Sequence, residues 1–243
     1  MDMRLKQHFE QQWERYFAAS ELPIAAWFTD TPEGEELHPP KDRHFCVMGE
    51  FARVRAGDAL CMNASSLTCM GAKRYLGYSD TLRPNFEYFL SCGNEQMKGE
   101  RYVRTPEMVR DWLASQEFLP LHQRFLHLRR WDALREEDAP QLLIFFATPD
   151  LLSGLFTWFS YCNFFDDSVR TPFGAGCNTV FSQPLLDPTR AFIGMFDPTA
   201  RPYIPKNMLT FSFAFERFAE MVDAMDQCFL TTDAWKRVQG RLE

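Results

Sequence analysis

Residues Leu142 to Phe146 read LLIFF, an apolar run with no polar position, and Thr148-Pro149-Asp150 follows almost at once. A strand that is apolar at every position has both faces out of water, so the sheet that holds it must be covered on two sides. Threonine, proline and an acid in that order supply an N-cap, a first helical residue and a first-turn carboxylate. The spacing therefore predicts a buried strand followed by a buried helix to about Tyr161. The uncharged stretch from Leu151 to Phe165 is too short to cross a bilayer, and Pro149 and Asp150 separate it from the strand.

The rest of the pattern extends this to an α/β-type (mixed α+β) fold. Leu5, Phe9, Trp13, Tyr16 and Phe17 share one stripe of an amphipathic helix over 4–19. Strands are predicted at 23–29, 59–62, 124–131, 191–196 and 209–215, the last alternating Leu209, Phe211, Phe213 and Phe215 against Thr210, Ser212 and Ala214. Helices are predicted at 43–55, 84–91, 106–115, in the segment after 215, and at 233–242, with a loop at 31–42. No linker or low-complexity segment appears, so residues 1–243 read as a single compact domain with the N-terminal helix packing on it. A faint echo divides the chain into two pseudo-equivalent halves. Each runs strand, Thr-Pro, helix, then a loop joining cysteine to glycine, which makes Cys69 and Cys177 counterparts.

Composition narrows the function classes. The net charge of −7 and pI of about 5.3 oppose a nucleic-acid partner, because phosphate contacts need an excess of Lys and Arg. Charged residues within the first ten positions prevent an apolar signal core, so the expectation is a cytoplasmic protein with no membrane partner. Seven cysteines, an odd number without a CxxC pair, do not form a disulfide framework. The 24 Phe and 6 Trp require large aromatic clusters in a core, a pocket or a subunit interface, which leaves a homo-oligomer open. P-loop, GxSxG, HExxH and kinase signatures are absent, and Gly174-x-Gly176 lacks the third glycine of a dinucleotide fingerprint.

One constellation carries chemistry. Cys46 stands seven residues before Arg53, which on a helix puts both on one face. Cys69-Met-Gly71 and Gly174-Ala-Gly-Cys177 place cysteine beside glycine, where backbone can approach a ligand closely. Asp197-Pro-Thr-Ala-Arg201 follows downstream. Cys46, Cys69 and Cys177 read as metal or iron–sulfur ligands, as low-pKa thiols activated by arginine, or as small core residues. Arg53, Asp197 and Arg201 are the ligand-binding candidates, with the two arginines suited to holding a small-molecule anion. Arg201 reads equally as a clamp on backbone carbonyls, Arg53 as an ion-paired surface residue, and Asp197 as the start of a turn with Pro198.

These residues resemble a known family, the uncharacterised bacterial and archaeal domain of unknown function 169. The motifs that carry the likeness are Cys46 with Arg53, Cys69-Met-Gly-Ala with Tyr75-Leu-Gly77, and Gly99-Glu-Arg-Tyr102. They continue with Leu143-Ile-Phe-Phe-Ala-Thr-Pro-Asp150 and Ser153-Gly-Leu155, then Pro172-Phe-Gly-Ala-Gly-Cys177 and Phe196-Asp-Pro-Thr-Ala-Arg-Pro202. Phe229-Leu-Thr-Thr with Trp235 closes the set. The resemblance implies a cytoplasmic α/β-type fold and assigns no reaction. Ala72 stands where the pattern has a second glycine, which puts the loop after Cys69 in question. Three readings follow: a small-molecule or cofactor-binding protein with a Cys/Arg-lined site, catalytic or not; an interaction or regulatory module with an aromatic surface; and a cysteine redox sensor.

Overall fold

The computed structural model describes residues 1–18 and 20–242. Seven strands form one sheet in the order β2-β5-β1-β6-β9-β8-β7. They are β1 (Ile24–Thr29), β2 (Leu60–Met62), β5 (Phe125–Arg130), β6 (Leu142–Ala147), β7 (Val169–Arg170), β8 (Ala191–Gly194) and β9 (Leu209–Ala214). A separate hairpin pairs β3 (Gly93–Asn94) with β4 (Met97–Lys98). Every residue of β6 is buried. Leu143, Phe145 and Ala147 belong to one core and Leu142, Ile144 and Phe146 to the other, as the LLIFF run requires.

Helices cover both faces. On one lie α1 (Met3–Phe17), α6 (Pro149–Cys162), α8 (Phe218–Asp223) and α9 (Asp233–Gln239). Phe9, Trp13 and Phe17 of α1 are fully buried there, each contributing about 1.5–3 kcal/mol by removal from water. The caps read from Thr-Pro-acid are in place, Thr105 accepting from Met108 and Thr148 from Leu151, and two more are present: Asp2 accepts from the Arg4 and Leu5 N–H groups and Thr232 from Trp235. The other face carries α2 (Phe51–Arg55), α3 (Met70–Tyr75) and a helix in which the π-turn Asn178–Ser182 runs into α7 (Gln183–Leu186).

The echo between the halves is a topological repeat. In both halves the first strand is innermost, the third lies beside it and the second lies outside: β1, β5, β2 and β6, β9, β8. Registers repeat as well. Ile24 faces Arg130 as Leu142 faces Ala214, and Leu60 faces Leu128 as Phe192 faces Ser212. The local two-fold passes between β1 and β6, where Ile24 pairs with Ile144 and Ala26 with Leu142. This changes the expected pairing of cysteines. Cys46 opens the segment before β2 and Cys177 the segment before β8, so these two correspond. Cys69 lies after β2, where the chain leads into α3, and so is not the counterpart of Cys177.

Several elements differ from expectation. The predicted helix at 43–55 begins only at Val47, with a 3-10 turn over Val47–Glu50 before α2. Thr31-Pro32 opens no helix; the loop there covers β5, and its Glu35 joins Asp138 in pairing with buried Arg129. Cys228 is buried but sits at the start of a 3-10 turn, beyond the end of α8. Ala72 lies inside α3, so the helical backbone there does not require glycine.

A small lobe made of α4 (Phe86–Leu90), the β3–β4 hairpin and α5 (Pro106–Ala114) is inserted in the chain between β2 and β5, which pair directly in the sheet. The aromatic excess is largely spent in the core, where Trp13, Trp27, Trp131 and Trp158 are all fully buried.

Candidate functional site

The two crossover segments bring distant residues together on the face that carries α2 and α3. Cys46 ends the long loop after β1, in extended conformation, and caps the 3-10 turn. The preceding residue is tied down by the Phe45 N–H donating to Thr68 Oγ1 at 2.9 Å. Cys69 likewise has an extended backbone and caps α3. Cys177 leads into the π-turn, a distortion that recurs at functional positions. Each cysteine therefore stands where a loop enters a helical turn.

Gly176 shows how closely these segments meet. A Cβ there would lie 3.0 Å from the Ala200 Cβ, 3.2 Å from Met195 Sδ and 3.2 Å from Met48 Cγ. The backbone before Cys177 is thus wedged between the Cys46 turn and the loop after β8. The Ser182 hydroxyl donates to the Tyr75 carbonyl, fastening the π-turn to α3.

Asp197 is set by its own turn. Its Oδ1 accepts from the Thr199 N–H at 2.9 Å and the Thr199 hydroxyl at 2.6 Å, and its carbonyl accepts from the Arg201 N–H at 2.8 Å. The turn read from Asp197-Pro198 is therefore present, and it holds the carboxylate near the thiols.

The thiols and tyrosines here share a buried, acidic surrounding. Burial pushes the Cys46 thiol up to about 11, and neighbouring Cys69 and Asp197 add to the rise. Cys177, 5% exposed, is pushed well above the ordinary thiol value by burial, with Cys69, Cys46 and Asp197 adding to it. Tyr75 is raised by burial and by Cys177 and Asp197. Tyr102 is raised by burial and by Asp197. A thiol held protonated by burial is a poor nucleophile at neutral pH.

The arginines are elsewhere. Arg53 Nε donates to Asp58 at 2.9 Å, and its Nη1 lies 3.5 Å from Glu50. It does not share a helix face with Cys46, because the helix starts after Cys46 and its first turn is 3-10. Arg201 donates to the carbonyls of Pro205 at 3.2 Å and Lys206 at 2.7 Å, the clamp rather than the ligand of an anion. Among the described residues, no arginine or lysine bears on the Cys46 or Cys177 thiol. The pairing of thiols with arginines expected from sequence is absent, and a carboxylate and two tyrosines take its place.

Tyr75 and Tyr102 stood in the sequence motifs without a role, since nothing local ties them to the cysteines. Cys61 is buried in β2, Cys228 is buried, Cys162 is half-buried and Cys92 is exposed. Among the described residues, no three His, Cys, Asp or Glu side chains are arranged to hold a metal ion as they stand. No described helix is long and apolar enough to cross a membrane.

Residues 14–224 match the profile of the family domain of unknown function 169, described as uncharacterised ArCR. No curated protein and no solved structure matches the chain. The match spans well over half of the sequence, so the chain belongs to that family.

Proposed function

We propose that this member of the domain of unknown function 169 family binds a soft, positively charged ligand between Cys46, Cys69, Cys177 and Asp197, with a thiophilic metal ion as its reactive centre. The observation that carries the reading is the close meeting of the Cys46 turn, the Cys177 backbone and the loop after Asp197 around Gly176, with no cation among the described residues acting on Cys46 or Cys177. Thiolates are soft donors that select metals such as zinc, copper(I) or iron in a sulfur cluster. The same arrangement argues against a small anion, because Arg53 and Arg201 are engaged with protein groups.

Binding has two consequences. The thiols must be drawn inward into ligating positions. As each sulfur–metal bond forms, the thiol proton leaves to solvent, so affinity rises with pH. The raised thiol pKa values of Cys46 and Cys177 count against a redox sensor that relies on thiolate at neutral pH.

The test is metal and acid-labile sulfide analysis of protein purified without oxygen, beside the Cys69→Ser and Cys177→Ser variants. Stoichiometric metal that is lost in both variants is the expected result. Sulfide alongside iron identifies a cluster, and its absence identifies a mononuclear site. Protein that stays metal-free and takes up neither Zn2+ nor Cd2+ overturns the reading.

A second reading, an interaction surface, draws on Phe164, 94% exposed, with Phe156, Tyr161 and Phe165 also exposed along and just beyond α6. A molecular mass that rises with concentration in the native chain and not in Phe164→Ser would favour it.

A further inference from the structure

The segment between β1 and Cys46 crosses the edge of the sheet from one face to the other, and polar groups fix its path. None of residues 30–44 belongs to either hydrophobic core. His127 and Arg129 alternate with Leu126 and Leu128 of the α2 face, so they point to the side of α1. There Glu35 pairs with buried Arg129, and its second oxygen lies 3.7 Å from His127 Nδ1. At the edge, Leu37 bridges Cys61 of β2, and the His38 N–H donates to the Cys61 carbonyl at 2.8 Å. On the α2 side, His38 and Lys41 reach the buried Glu50 carboxylate at 3.3 and 3.4 Å. Left-handed backbone at Glu33 (φ 50°) and Gly34 (φ 78°) makes the bend, and Pro39-Pro40 stiffens the far end.

Each of the two ionic clasps has a second partner in the body of the fold. Asp138 also pairs with Arg129, and Arg53 lies 3.5 Å from Glu50. Removing one partner of a buried ion pair is costly because it strands the other charge. Here neither Arg129 nor Glu50 is stranded when the segment lifts. A segment with no core contact and no charge to strand is the part of a fold that opens at low free energy. Beneath it lie Cys61 and His127, which face each other across β2 and β5 and are both buried. The Cys61 thiol is pushed up to about 11 by burial and by Glu33 of the covering segment. Lifting the segment removes both causes and lets the thiol ionise as an ordinary one does.

We propose that residues 31–42 are a strap that opens as a unit while both cores stay closed, baring the β2 edge and the Cys61–His127 pair. The strap runs on to Phe45, whose ring lies 5.2 Å from Lys41 Nζ, so its opening also frees the chain that leads to Cys46. The device does not depend on what the cysteine site binds.

Alkylation of the full chain by iodoacetamide at pH 8, over a series of urea concentrations below the unfolding transition, tests this when read peptide by peptide by mass spectrometry. Each rate is taken relative to the same cysteine in the unfolded chain. Cys61 should label at least about tenfold faster than buried Cys177 and Cys228, and its rate should change little with urea, because a local opening exposes little surface. Glu35→Gln breaks the clasp on the α1 side and leaves Asp138 on Arg129, so the fold should persist. Cys61 should then label about tenfold faster than in the native chain, the share of one charge-assisted contact. Glu36→Gln, an equal charge change at an exposed position of the strap, should leave the rate unchanged. Cys61 labelling in step with Cys177 and Cys228 across the urea series means that it opens only with the whole fold, and overturns the inference. A Cys61 rate that Glu35→Gln leaves alone, or that Glu36→Gln raises as much, overturns it too. The comparison within the native chain decides the matter even if Glu35→Gln does not fold.

Discussion

Raising the pH perturbs the cysteine site without substituting a residue. Burial, reinforced by Cys69 and Asp197, moves Cys46 from an ordinary 9.0 to about 11. At pH 7 the thiolate fraction then falls from about 1 in 100 to about 1 in 10,000. Alkylation of Cys46 by iodoacetamide, followed by mass spectrometry, is therefore expected to run about 100-fold slower in the native protein than in the urea-unfolded chain, from ionisation alone. Its rate should climb about tenfold per pH unit and level off only near pH 11. The same shift has a stability counterpart. The unfolded thiol ionises first, so the contribution of the buried neutral thiol is complete below pH 9 and is lost as pH rises through 11. At pH 10 the loss from Cys46 is about 1.4 kcal/mol, read as a lower urea midpoint, and Cys46→Ser should remove that increment. A native Cys46 that labels at the unfolded rate at pH 7, or whose rate levels off near pH 9, would refute the argument that burial governs this site.

Three further outcomes follow from single side chains. Glu50 is buried and faces His38 at 3.3 Å, Lys41 at 3.4 Å and Arg53 at 3.5 Å. Glu50→Gln is expected to cost about 2 kcal/mol, below the usual cost of breaking a buried pair because Lys41 and Arg53 are partly solvated; an unchanged urea midpoint at pH 7 would show that the cluster adds nothing. Gly154→Ala puts a methyl into the Trp235 ring and 2.9 Å from Phe17. Despite the better helix former it should lower stability by about 1–3 kcal/mol, so a raised melting temperature would contradict the packing of α9 on α6. Arg201→Ala removes two hydrogen bonds to backbone carbonyls and should lower the melting temperature through a loss of about 1–2 kcal/mol. Cd2+ affinity should fall little in this variant, whereas a complete loss of ligand binding with unchanged stability would return Arg201 to the site.

The elements most legible in the sequence were those whose signals are local. LLIFF announced a strand covered on both faces, and β6 is buried throughout. The Thr-Pro-acid openings at Thr105 and Thr148 start helices where predicted, because capping acts within one turn. The helix through the π-turn after Cys177 escaped notice, since Gly174, Gly176 and Pro184 interrupt the apolar period by which a helix is recognised. The shared face of Cys46 and Arg53 failed for a related reason: it assumed a continuous α-helix, and the chain enters through a 3-10 turn one residue later.

The three cysteines and Asp197 could be picked out of the sequence one at a time by the glycines and prolines beside them. Their meeting depends on the repeated crossover topology, which carries the chain from β1 to β2 and from β6 to β8 past an intervening strand and sets the turns at Cys46 and Cys177 on one face. Separations of 23 residues between Cys46 and Cys69 and of 108 between Cys69 and Cys177 hold no record of that. The sign of charge around the thiols was decided in the same way. An arginine near a cysteine in sequence acts on it only if no closer partner claims the guanidinium, and here Asp58, Glu50 and two backbone carbonyls do so. Strand and helix character is written in short-range patterns of apolar and capping residues, while the chemistry of the site depends on which distant groups the sheet brings within a few ångströms and which it leaves already paired.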